Sequence, residues 1–61
     1  MEWCWLSSSR ITAAVCYDAT KNNIIVEAPP ILQKFKGQPI QNLIRWMAKQ
    51  GGLRAEKLEG Q

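Results

Sequence analysis

No histidine occurs in this chain. General acid–base chemistry would then fall to carboxylates. The five acids, Glu2, Asp18, Glu27, Glu56 and Glu59, are scattered, with no spacing that sets two on one helix face. Cysteine is scarce as well. Cys4 and Cys16 have no histidine partner for nucleophilic work, and two thiols are too few for the disulfide framework of a small secreted domain. Both are expected to be reduced, with Cys16 a small core residue in an apolar run. A metal site lacks ligands for the same reason. No glycine-rich phosphate loop is present, because Gly51 and Gly52 follow a helical segment instead of preceding one. No apolar run approaches the ~20 residues of a membrane-spanning helix. The N-terminus, MEWCWLSSSR, has an acid at position 2 and no long apolar region of the kind that marks a signal peptide. These absences point away from an enzyme, a cofactor or metal protein and a membrane protein. They predict a cytoplasmic binding protein.

What is present argues for a folded chain. Hydrophobic residues make up 46% of the sequence and include three tryptophans, which rules against disorder. Sixty-one residues make one domain at most, and a chain this short buries a small share of its surface. Charge is unevenly spread. Between Ala28 and Ala55 lie Lys34, Lys36, Arg45, Lys49 and Arg54, with no acid among them. A half-chain of one sign favours anions such as nucleotides, nucleic acid or an acidic protein; the plain alternative is a solvated basic face.

The expected fold is α+β, a β-hairpin followed by a proline-initiated helix, ββα or ββαβ, assembled as a homo-oligomer. Residues 1–9 read as an N-terminal extension in which SSS (residues 7–9) is a flexible link, and residues 10–61 as a single small domain. In residues 10–18, Ile11, Ala13, Val15 and Tyr17 share one face of a strand, and Thr12, Ala14 and Cys16 the other. Residues 19–23 form the turn, where Asn22 and Asn23 tolerate a left-handed backbone, and residues 24–28 form the returning strand. A hairpin alone is not stable in water. A helix covers one face, and the small-residue face is left without cover, which argues for at least a dimer. Pro29 and Pro30 end the strand, and Pro30 also opens one or two helical turns closed by Gly37. Pro39 opens a second helix over residues 39–50, stopped by Gly51 and Gly52. A short third strand over residues 53–59, anchored by Leu53 and Leu58, is expected to return beside the hairpin.

The long helix carries the candidate site. Ile40, Leu43, Ile44 and Met47 make a core stripe at i, i+3, i+4 and i+7. Trp46, Asn42 and Lys49 lie along one flank, with Arg45 beyond them near the solvent pole. An indole beside an amide and an ammonium suits recognition; the alternative is that Trp46 packs over the hairpin's rim. The candidate ligand-binding residues are Lys34, Lys36, Gln38, Asn42, Arg45, Trp46 and Lys49. The cations would pair with phosphates, Arg45 bidentately, Trp46 would stack on a base, Gln38 and Asn42 would fix orientation, and amides at the helix start would assist.

The segments TAAV, IIVEAPPIL, GQP and RWMAKQGG resemble a family of very small proteins of tailed phages and prophages. The family pattern runs Thr-Ala-x-Val, a turn, Val-Val-Glu-Ala-x-Pro-Ile-Leu, Gly-Lys-Pro and a tryptophan-bearing helix ending in Lys-Gly. Thr12, Ala13, Val15, Val26, Glu27, Ala28, Pro30, Ile31, Leu32, Gly37, Pro39, Trp46 and Gly51 match it, over roughly residues 11–55. Gln33 and Lys34 depart from its basic-aromatic pair, Gln38 from its lysine, and Gln50 precedes Gly51. The resemblance implies a phage origin and an infected bacterial cell as the setting. By analogy of size, origin and charge, the chain is similar to phage anti-defence sponges, which sequester nucleotide immune signals such as the cyclic ADP-ribose-like molecules of Thoeris defence. Inhibition of a host protein and regulation through nucleic-acid binding are the alternatives. The hairpin and helix are thinly charged for a DNA reader, where several phosphate contacts are usual.

Overall fold

The computed structural model describes residues 1–58, with the side chain of Leu58 and residues 59–61 outside that description. The protein is α+β. Strands β1 (Glu2–Ser7), β2 (Thr12–Asp18) and β3 (Ile24–Glu27) are followed by a 3-10 helix (Pro30–Phe35), helix α1 (Ile40–Ala48) and strand β4 (Arg54–Leu58). The strands form one antiparallel sheet in the order β3-β2-β1-β4.

The expected β2–β3 hairpin is present. Asn22 and Asn23 both adopt φ 58°, and the turn closes with the Lys21 amide donating to the Asp18 carbonyl at 3.1 Å. The Asp18 carboxylate accepts from the Thr20 hydroxyl at 2.6 Å and from its amide at 3.0 Å. The ladder shifts register between Cys16 and Tyr17, leaving Val26 as an extra residue.

Residues 1–9 are not an extension. Glu2–Ser7 is an interior strand, paired with β2 from Glu2↔Tyr17 to Ser7↔Thr12 and with β4 on its other side. Its residues alternate: Cys4 and Leu6 point into the core, and Trp3 and Trp5 point out. The serine link is a bonded turn. The Ser8 amide donates to the Ile11 carbonyl at 2.7 Å, and the Ser8 hydroxyl donates to Gln50 Oε1 at 2.6 Å. The Ser9 hydroxyl donates to the Gln50 carbonyl at 2.5 Å and its amide to the Gly51 carbonyl at 2.9 Å. The β1–β2 turn is thereby fastened to the end of α1.

The proline corner has the expected starts and stops, plus one more role. Pro30 begins the 3-10 helix, which buries Leu32 and Phe35. Gly37 takes φ +88°, as a left-handed stop requires. From there the chain lies along the free edge of β3. The Gly37 amide donates to the Ile25 carbonyl (2.8 Å), Ile25 to Gln38 (2.9 Å) and Ile40 to Asn23 (2.8 Å). With the β3 edge taken by this segment and the β2 edge by β1, β4 does not return beside the expected hairpin; it pairs with β1. Glu59, the end of the expected 53–59 strand, lies outside the described residues.

Helix α1 lays Ile40, Leu43 and Met47 on the inner face of the sheet, with Ile44 half-buried beside them. They pack with Cys4, Leu6, Ala13, Val15, Ile25, Leu32 and Phe35 in one core. The 3-10 helix and α1 lie on this side, and among the described residues no second layer covers the opposite face of the sheet.

Candidate functional site

The seven candidate residues divide into a bonded cluster and a set of exposed cations around it. Asn42 and Trp46 lie one helical turn apart on the same flank of α1, and the 3-10 helix brings Lys34 against them. Its ammonium stands 4.5 Å from the centroid of the Trp46 ring and 5.4 Å from that of Phe35. Gln38 Nε2 donates to the Lys34 carbonyl at 3.0 Å, and Asn42 Nδ2 donates to Gln38 Oε1 at 3.1 Å. Lys34, Gln38, Asn42 and Trp46 thus form one connected patch. Lys36 and Lys49 are exposed at the ends of the 3-10 helix and α1. Arg45 is exposed and takes no part in the cluster's hydrogen bonds. None of Lys34, Lys36, Arg45 and Lys49 forms an ion pair with a described acid.

Two expected details differ. Trp46 is half-buried and packs on Phe35, with centroids 5.3 Å apart and planes at 52°. It belongs to the wall between the 3-10 helix and α1, not to the rim of the hairpin. The start of α1 offers less to an anion than expected: the Ile40 amide is bonded to Asn23 and the Asn42 amide to Pro39, at 2.8 and 3.0 Å.

A second surface has no counterpart in the expected site. On the open face, the Trp3 and Trp5 indoles stand in a row on β1, 37% and 40% exposed. Beside them is a trough of about 420 Å³, lined by Thr12, Ala13 and Ala14, with Glu27, Ala28 and Pro29 on its far side. Cys16 is buried on this same face, its sulfur 3.9 Å from that of Met1. The i, i+2 spacing of Trp3 and Trp5 is the sequence signal for this row, once residues 2–7 are taken as a strand.

Both cysteines are free and buried, they point to opposite faces of the sheet, and burial raises the Cys4 thiol above its ordinary pKa. Among the described residues no group of three or more His, Cys, Asp or Glu side chains is placed to hold a metal. No helix among them is long and apolar enough to cross a membrane.

No protein-family model matches the chain, and comparison with curated proteins and with solved structures finds no match.

Proposed function

We propose that this is a non-enzymatic binding protein that sequesters a phosphate-bearing, nucleotide-derived small molecule on the corner between the 3-10 helix and α1. The observation that carries this reading is the meeting of Lys34, Gln38, Asn42 and Trp46 in one patch, ringed by cations that no described acid neutralises. A base would stack on the outer face of Trp46 by displacing the Lys34 ammonium. An exposed cation–π contact contributes only ~0.5–1 kcal/mol, so the exchange costs little, and the released ammonium is then free for a phosphate. Gln38 and Asn42 each present an amide to the same patch. Lys36 and Lys49 supply further positive charge, and Arg45 offers a planar fork on the solvent side.

The resemblance to small phage proteins supplies the setting. The protein acts as a homo-oligomer in the cytoplasm of an infected bacterial cell, lowering the free concentration of a cyclic ADP-ribose-like or cyclic nucleotide immune signal. Calorimetric titration with cyclic ADP-ribose isomers, cyclic dinucleotides and a short DNA duplex tests it. Saturable binding of one small molecule, weakened in Arg45→Ala, is the expected result. Tight, salt-sensitive binding to the duplex alone would replace this reading with a nucleic-acid one. Silence in every titration would favour inhibition of a host protein.

A further inference from the structure

We infer that the open face of the sheet is where a second copy of this chain packs, with the indole row of each copy seated in the trough of the other. This deepens the homo-oligomer part of the reading above and makes no use of its ligand.

The face is complementary to itself. The β1 register sets Trp3 opposite Cys16 and Trp5 opposite Ala14, so bulky and small residues lie side by side on adjacent strands, roughly 4.8 Å apart. A two-fold axis parallel to the strands, running between β1 and β2, lays β1 of each copy over β2 of the other. Trp5 then meets the level of Ala14 in the trough, and Trp3 comes level with Cys16, which is already buried within its own copy. An axis across the strands would set indoles against indoles. The first arrangement is an isologous sheet-on-sheet contact, with interdigitating side chains and sheets ~10 Å apart.

The charged residues of the face lie at its edges. Arg54 and Glu56 share the side of Ser7 and Trp5 on β4, and Glu27 lines the far side of the trough on β3. The same axis runs the β4 edge of one copy along the β3 edge of the other, so these charges stay at the rim, clear of the Trp5 and Ala14 centre. An apolar centre with a charged rim is the usual anatomy of a protein interface.

The area fits a dimer of modest affinity. The molecule measures 29 × 25 × 19 Å, and the shortest dimension suits a helix stacked on a sheet. An elliptical outline of 29 × 25 Å sets an upper limit of roughly 550 Å² per copy, so the pair bury at most roughly 1,100 Å², near the lower end for a specific interface.

Sedimentation velocity on the full chain, from about 1 to 500 μM, tests this, with tryptophan emission followed in parallel. A monomer–dimer transition in the micromolar range is expected, with emission shifting to the blue as Trp3 and Trp5 are covered. Ala14→Arg, which puts a charge on the trough floor, should raise the dissociation constant at least tenfold while the circular-dichroism melt stays cooperative. If Ala14→Arg fails to fold, Thr12→Lys at an exposed position of the same trough decides. A wild-type chain still monomeric at the highest concentration overturns the inference. So does a folded trough variant that dimerises as the wild type does, or wild-type emission that ignores concentration. A dimer that binds no nucleotide would overturn the ligand reading and leave this one standing.

Discussion

The ammonium of Lys34 caps the outer face of the Trp46 indole, 4.5 Å from its centroid, while Phe35 packs on the same ring system. One lysine thus guards the surface on which a base would stack. Lys34→Ala should uncover the ring but remove a phosphate partner, and Trp46→Ala should remove the platform itself. Trp46→Ala is expected to weaken nucleotide binding by about 1–3 kcal/mol and to destabilise the fold by ~2 kcal/mol through loss of the Phe35 contact. Arg45→Ala should weaken binding by a similar ~1–3 kcal/mol and leave the melt unchanged, since the residue is exposed. Calorimetry and thermal melts on all three separate ligand contact from packing.

Gly37 has nothing within 4 Å of the position a Cβ would occupy, yet its φ is +88°. The cost of a side chain there is therefore one of backbone strain. Gly37→Val should lose ~1–2 kcal/mol, a fall of several degrees in Tm for a chain of this size, and Gly37→Asn should lose less. An unchanged melt for the valine variant would contradict the left-handed stop.

Leu6 is fully buried on the interior strand β1. Leu6→Ala should cost ~2–5 kcal/mol, enough to unfold a marginal domain, and deletion of residues 1–7 should abolish the fold. A dispensable extension would tolerate both changes. Urea denaturation followed by far-ultraviolet circular dichroism distinguishes the two.

Two carboxyls lie below their ordinary pKa. Glu2 is held down by its hydrogen bond and ion pair with Lys57, 2.8 Å away, and Asp18 by the hydroxyl and amide of Thr20. Because the folded state depresses both, their contribution is present above the ordinary carboxylate range and is lost as pH falls through the lowered values. Stability should be flat from neutrality to roughly pH 5 and decline below about pH 4. Glu2→Gln and Thr20→Val should each flatten the acid limb of a urea midpoint-against-pH profile. Both carboxyls remain in contact with solvent, so each change should be small.

The features that sequence reading anticipated are local ones. Asn22 and Asn23 needed only their own left-handed preference, Gly37 and the prolines only theirs, and the Ile40–Met47 stripe only the helical period. Asn42 and Trp46 were placed together by the same period. What escaped depends on distant partners. β1 looks like six residues before a serine link until residues 54–58, some fifty positions away, are seen to pair with it. Lys34 was a candidate as a cation, but its seat over Trp46 depends on how the 3-10 helix meets α1. The trough beside Trp3 and Trp5 likewise exists only once β1 and β2 are neighbours.

The pairing of β4 with β1 also constrains how the chain comes to be folded. As the polypeptide leaves the ribosome, β1 emerges with its tryptophans some fifty residues ahead of its outer partner, β4. Until residues 54–58 appear, β1 has an open edge, and the serine turn has no Gln50 to hold. Folding should therefore be late and all-or-none, with no stable half-made domain during synthesis. The interval before closure is when the nascent chain is most exposed to proteases and to pairing with its neighbours.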